Sequence, residues 1–184
     1  MLTIIIPVYN EENTILKILK KIEKQKTIKK QIIIVDDFST DNSLKKIKEF
    51  KFQSKYKIIT HKKNYGKGAC IISAKNFIKG DIVIIQDADL EYDPFDYNKL
   101  LIPFFETNAD VVYGSRFLGG GKYVRIHFFW HYLANKILTF ICNLFINLNL
   151  TDMETGYKAF KTDALKNISL KEKTFSFEPE VTIK

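Results

Sequence analysis

Asp81-Ile82-Val83-Ile84-Ile85-Gln86-Asp87-Ala88-Asp89 is the stretch that decides the fold. Four apolar, mostly β-branched residues in a row, with no polar alternation, describe a short strand buried on both faces. The run then stops on two carboxylates separated by one small residue. Upstream the same arrangement occurs twice: Ile4 to Val8 runs into Tyr9-Asn10-Glu11, and Ile32-Ile33-Ile34-Val35 into Asp36-Asp37. A third strand is expected over Tyr56 to Thr60. Between the strands lie helical patterns. Ile15, Leu19 and Ile22 recur at helical spacing behind a candidate cap at Asn13, and Ser39-Thr40-Asp41-Asn42 offers caps for a helix over 42–50. Asn64-Tyr65-Gly66-Lys67-Gly68 reads as a turn opening a helix through Phe77. A helix near 96–106 and a strand at 110–113 follow.

Strands alternating with helices through short connections predict an α/β fold, a mostly parallel central sheet with helices on both faces. Open sheets of this kind bind ligands outside the carboxyl ends of their strands. The polar clusters of this chain gather there.

The 184 residues fit one domain, and 46% hydrophobic with 27% charged residues predicts a packed core. Two cysteines, Cys70 and Cys142, exclude a disulfide scaffold and suit a reducing, cytoplasmic setting. Pro7 interrupts the first apolar run, and no basic leader precedes it, so no signal peptide is expected. The net charge of +8 suggests an anionic partner, but the basic residues are nearly all lysine on a background rich in Ile, Asn and Phe. Arginine stands at two positions only, Arg116 and Arg125, and its planar fork grips phosphate in a way lysine does not. Three acidic clusters on one sheet edge would repel a nucleic-acid backbone.

Beyond Arg116 comes Gly119-Gly120-Gly121, then an apolar stretch over 126–150. His127, His131, Asn135, Lys136, Asn143 and Asn147 interrupt it, so it reads as an amphipathic helix lying on the protein or in the membrane interface and not as a membrane span.

Carboxylates two apart in an extended segment point the same way, so Asp87 and Asp89 are expected to face one hard cation, Mg²⁺ or Mn²⁺, that would meet a diphosphate. Taken alone the pair is equally a solvated strand end, and Asp36-Asp37 has the same ambiguity. Gly66-Lys67-Gly68 lacks the Gly-Lys-Ser/Thr ending of an ATP-binding loop and reads as a tight turn. His127 and His131 have no third ligand that would make zinc, and no Gly-x-Ser-x-Gly elbow occurs.

Together, Pro7-Val8-Tyr9-Asn10-Glu11, Val35-Asp36-Asp37-Phe38-Ser39, Asn64-Tyr65-Gly66-Lys67-Gly68-Ala69, Asp87-Ala88-Asp89-Leu90-Glu91 and Gly114-Ser115-Arg116 resemble glycosyltransferase family 2. Trp130-His131 to Asn135 and Leu150 to Lys158 resemble its dolichol-phosphate mannose synthase and polyprenyl-phosphate branch. The resemblance implies the nucleotide-diphospho-sugar transferase fold (GT-A, Rossmann-like). It implies that Pro7, Tyr9, Glu11, Val35 and Asp37 hold the nucleoside of a GDP- or UDP-hexose, and that Asp87, Ala88 and Asp89 meet diphosphate and metal. Glu91 would add a metal ligand and Arg116 would touch the donor. Arg125, His127 and His131 would meet the phosphate of a polyprenyl or dolichyl acceptor.

On this reading residues 1–117 bind the nucleotide sugar and 118–184 face acceptor and membrane, at the inner, cytoplasmic membrane surface. Relatives usually continue past the position of Lys184, so the chain reads as truncated. Two alternatives stay open. One is transfer to a saccharide hydroxyl, with Asp152 or Glu154 as base. The other is an inactive nucleotide-sugar-binding module.

Overall fold

The structure, a computed structural model, describes residues 1–26, 28–117, 128–174 and 176–184. Its strands are β1 (Leu2–Val8), β2 (Lys30–Asp36), β3 (Lys55–Thr60), β4 (Ile82–Ile85), β5 (Val111–Tyr113) and β6 (Lys158–Lys161). The helices are α1 (Ile15–Lys24), α2 (Ser43–Glu49), α3 (Lys67–Lys75), α4 (Tyr97–Glu106), α5 (Phe129–Ile146), α6 (Thr162–Asn167) and α7 (Phe177–Ile183). A short 3-10 turn, Pro94–Asp96, leads into α4, with the Asp93 carboxylate capping the Phe95 amide.

The strands assemble in the order β3-β2-β1-β4-β6-β5. β1, β2, β3 and β4 are parallel, in the register Ile5↔Ile33 and Ile5↔Ile85. From β1 the chain first builds outward through β2 and β3, then returns to add β4 on the other side. The switch point therefore lies between β1 and β4, the place where open α/β sheets bind ligands. β6 runs antiparallel to both β4 and β5. The expected mostly parallel sheet with helices on both faces is what forms.

Residue parity divides the core. Ile4, Ile6, Val8, Ile32, Ile34 and Ile84 face α1 and α4, whereas Ile5, Ile33, Val35, Val83 and Ile85 face α3, α6 and α7. All eleven side chains are buried. Each contributes about 1.5–3 kcal/mol by leaving water, which locks the register on which the strand-end turns depend.

One local expectation changes, and two features were not foreseen in detail. Thr14 and not Asn13 precedes α1, its hydroxyl bonded to the Glu11 carboxylate at 2.5 Å. β6 carries no apolar run to announce it: its first residue is a lysine, and that lysine is fully buried. α5 is amphipathic in an inverted sense. It buries Asn135, Thr139 and Cys142 and exposes Trp130, Ile137, Leu138, Phe140, Leu144 and Phe145. Among the described residues no helix is long and apolar enough to cross a membrane.

Candidate functional site

Each of the three strand-end clusters makes a sharp turn through a left-handed residue: Asn10 (φ 55°), Phe38 (φ 66°) and Leu90 (φ 68°). Asparagine tolerates that conformation, but for Phe38 and Leu90 it costs about 1–2 kcal/mol each. Strain of this kind gathers where a fold over-determines a functional turn. The first two turns interlock. The Ser39 hydroxyl accepts from the Asn10 amide, Asn10 Oδ1 accepts from the Thr40 amide, and the Glu12 carboxylate accepts twice from Asn42. Tyr9 stays 46% exposed beside them, a face open for stacking.

Asp37 is buried and accepts the Tyr65 amide at 2.9 Å, the Gly66 amide at 2.7 Å and His61 Nδ1 at 2.7 Å. Its carboxylate thus builds the 64–66 turn, where Gly66 adopts φ 97° and leads into α3. The other ring nitrogen of His61 meets the Ser73 hydroxyl at 2.9 Å. Asp36 Oδ2 accepts the Ser39 amide, while the buried Oδ1 has no partner among the described residues. The Val35 side chain is fully buried against α3, so the nucleoside contact that the resemblance implies for it is left to its backbone.

Asp87 and Asp89 have different partners in this structure. Asp87 turns inward, where Lys67 Nζ sits 2.8 Å from Oδ1 and 3.0 Å from Oδ2. The same ammonium lies 2.9 Å from Glu178 Oε1, and Glu178 Oε2 meets Lys158 Nζ at 2.5 Å. Burial raises the Asp87 carboxyl above its ordinary range, with Lys67 opposing it. Burial also works against charge on Lys67, but Asp87 and Glu178 outweigh it and hold that ammonium well above the usual value. Gly156 closes the arrangement: a Cβ there would fall inside the van der Waals shell of Asp87 Oδ2. Asp89 stays exposed, and its Oδ1 accepts the Glu91 amide at 3.0 Å. Among the described residues Asp37, His61 and Cys70 also converge, with their ligand atoms within 4.8 Å of one another.

Arg116 is clamped by Asp152. Nε donates to Oδ2 and Nη2 to Oδ1, both at 2.8 Å, and the Arg116 amide adds a third bond to Oδ2. Burial alone would raise the Asp152 carboxyl, but the bonds from Arg116 outweigh it and keep the group below its usual range. Asn135 of α5 donates to Asp152 at 3.1 Å, Thr139 donates to Asn135, and the Met153 amide donates to Thr139. The polar seam of α5 is thereby stitched to the loop that braces Arg116. Glu154, in the same loop, accepts no hydrogen bond among the described residues, and burial beside Glu178 raises its carboxyl.

The carboxyl ends of β1, β2 and β4 thus carry Tyr9 and Glu11, Asp37, and the Asp87–Ala88–Asp89 turn, with Glu11 near Asp89 and Arg116 near Glu91. His131 lies exposed on α5, and Arg125 and His127 fall outside the described residues. Sequence reasoning gave no role to Lys67, Lys158 or Glu178, and it expected no pairing of His61 with a nearby carboxylate, which the His61–Asp37 contact corrects. The tight turn read at Gly66-Lys67-Gly68 is there, and its lysine is the link to Asp87.

A profile described as glycosyl transferase family 2 matches residues 3–169. Over 185 aligned positions the chain is 30% identical to a UDP-N-acetylglucosamine–dolichyl-phosphate N-acetylglucosaminyltransferase of Methanococcus voltae, covering 92% of this chain and 72% of that protein. It is 26% identical to a dolichol-phosphate mannosyltransferase of Pyrococcus furiosus, covering 99% of this chain and 52% of the relative, so it spans about half that protein's length. Glucosyl-3-phosphoglycerate synthase from Mycobacterium tuberculosis, solved with Mn²⁺, UDP-glucose and phosphoglyceric acid, shares the fold at a TM-score of 0.70 and 18% identity. That match covers 97% of this chain and 62% of the other. A switch point flanked by acidic strand-end turns, and a family match across most of the same elements, lead to one assignment: the chain belongs to glycosyl transferase family 2.

Proposed function

We propose that this chain transfers a hexosyl group, of mannose or glucose type, from a GDP- or UDP-sugar to a polyprenyl or dolichyl phosphate, with inversion at the anomeric carbon. The observation that carries this reading is the β1–β4 switch point, whose strand ends carry an exposed tyrosine and two acidic turns, with the braced Arg116 near Glu91 of the second. The names of the two relatives, both transferases to dolichyl phosphate, support the acceptor class.

Pro7, Tyr9, Glu11, Val35 and Asp37 surround the nucleoside in this reading, Tyr9 by stacking and Asp37 chiefly by holding the 64–66 turn. The donor set fits a hard divalent ion. Asp89 and Glu91 offer exposed carboxylate oxygens, and such an ion is commonly held by one or two carboxylates plus substrate phosphates. Mg²⁺ or Mn²⁺, when bound, neutralises charge growing on the departing diphosphate. Ala88 keeps the turn slim, and Arg116, fixed in direction by Asp152, meets the same phosphates.

An oxygen of the acceptor phosphate forms the new bond to the anomeric carbon as the bond to the diphosphate breaks. The leaving group carries away the electron pair. A phosphate monoester is already anionic near neutrality, with a second pKa of about 6, so no base has to remove a proton. The protein orients and holds the reactants. Arg125, His127 and His131 are the proposed contacts to the acceptor phosphate. The outward apolar face of α5 lies on the inner leaflet, and the lysine excess faces anionic lipid.

A second reading, transfer to a saccharide hydroxyl, is favoured by Glu154, which accepts no hydrogen bond among the described residues and whose raised carboxyl suits a base. Melting the protein with UDP- and GDP-sugars, with and without Mn²⁺, tests donor binding; no shift with any of them leaves an inactive module. Release of nucleoside diphosphate only when polyprenyl phosphate is supplied supports the lipid acceptor. Equal release with soluble saccharides supports the hydroxyl reading and sinks the lipid one.

A further inference from the structure

The Lys67 ammonium stands between two largely buried carboxylates at nearly equal distances, 2.8 Å from Asp87 and 2.9 Å from Glu178. Glu178 is in turn bonded to Lys158, and Lys158 also donates to the Met153 and Thr155 carbonyls. Charges alternate along Asp87, Lys67, Glu178 and Lys158, and every side chain in the row is at least three-quarters buried. Glu178 reaches the donor turn from α7, far along the chain, and Gly156 leaves the backbone thin enough for Asp87 to turn inward. Two carboxylates converging on one point from separate elements make a cation site, and here a side chain of the protein fills it.

We infer that Lys67 is a built-in cation that occupies a latent divalent-metal site between Asp87 and Glu178, withdrawing Asp87 from metal binding and leaving the donor's ion to Asp89 and Glu91. This rests on the reading of the Asp87–Ala88–Asp89 turn as the donor's diphosphate site. It makes Lys67 a positioning residue and predicts one working metal ion at that turn, not two. Ammonium–carboxylate spacings of 2.8–3.0 Å exceed those of a divalent ion to oxygen, so the two carboxylates need to close in only slightly once the ammonium is gone.

The test is an electron paramagnetic resonance titration with Mn²⁺ alone, without nucleotide, on the 184-residue protein and on Lys67→Ala. Lys67→Ala should gain a Mn²⁺ site about tenfold or more tighter than any in the unsubstituted protein, because two like charges are left facing an empty place. Adding Asp87→Asn should abolish the gain. A folded Lys67→Ala with an unchanged Mn²⁺ isotherm overturns the inference. If Lys67→Ala melts cooperatively only when Mn²⁺ is present, the inference stands; if it is unfolded with and without Mn²⁺, the inference falls. Nucleotide-sugar binding by the unsubstituted protein is scored separately. A gained metal site without any donor binding would uphold the latent site and refute the transferase reading.

Discussion

Asp152→Asn should cost the fold about 3 kcal/mol, roughly a 150-fold shift in the folding equilibrium. The Asp152 side chain is fully buried and accepts three bonds from Arg116 and one from Asn135. Asparagine keeps one acceptor oxygen, but it points an NH₂ group at a guanidinium that has only donors to offer. Breaking a fully buried ion pair costs about 3–5 kcal/mol; the lower end applies because the Arg116 side chain is 22% exposed and water can reach part of it. Urea unfolding followed by circular dichroism measures the loss. The control is a double-mutant cycle with Arg116→Met, in which Asp152→Asn should cost only about 1 kcal/mol, the share owed to Asn135 and the backbone amide. A loss below about 1 kcal/mol in the unsubstituted protein, or an equal loss in both backgrounds, would refute the clamp.

The same carboxylate makes a pH prediction. Its folded-state pKa is lowered, so its contribution is fully present above the unfolded value of about 3.9 and disappears as pH falls through the folded one. The stability gap to Asp152→Asn should therefore narrow below about pH 4, and a constant gap down to pH 2 would count against it. Gly156→Ala should destabilise by about 1–3 kcal/mol and weaken donor binding, since its methyl collides with Asp87; a neutral result in a melt would show that Asp87 is free to move. Phe38→Gly should raise stability by about 0.5 kcal/mol, relief of the left-handed strain being partly offset by glycine's backbone entropy. Phe145→Glu, at a site 82% exposed, should change stability by less than about 0.5 kcal/mol yet reduce sedimentation with anionic vesicles; unchanged sedimentation would separate α5 from the membrane.

What could be read from residue order alone was whatever depends on local pattern. β-branched runs announced β1, β2 and β4, and the polar clusters that stop them are the turns now found at the switch point. Neighbours distant along the chain could not be read this way. Alternation placed Asp87 and Asp89 on one turn but could not show that Lys67 pairs with Asp87 or that the bare backbone of Gly156 makes room for it. β6 escaped because Lys158 looks like a surface residue; only Glu178 and two carbonyls make its burial tolerable. The stretch over 126–150 gave the right amphipathic element but not its inner partners, since Asn135 and Thr139 face inward to reach Asp152 and Met153.

The position of β6 between β4 and β5 also constrains the order of folding. Among the described residues β5 pairs with β6 alone, so it cannot join the sheet until residues 158–161 have been synthesised and have paired with it. When they dock, the span from Gly114 to Tyr157 is closed as one long loop, whose closure entropy is met by a single late pairing event. The half of the site that carries Arg116 and Asp152 is therefore expected to acquire amide protection after the half that carries Asp37.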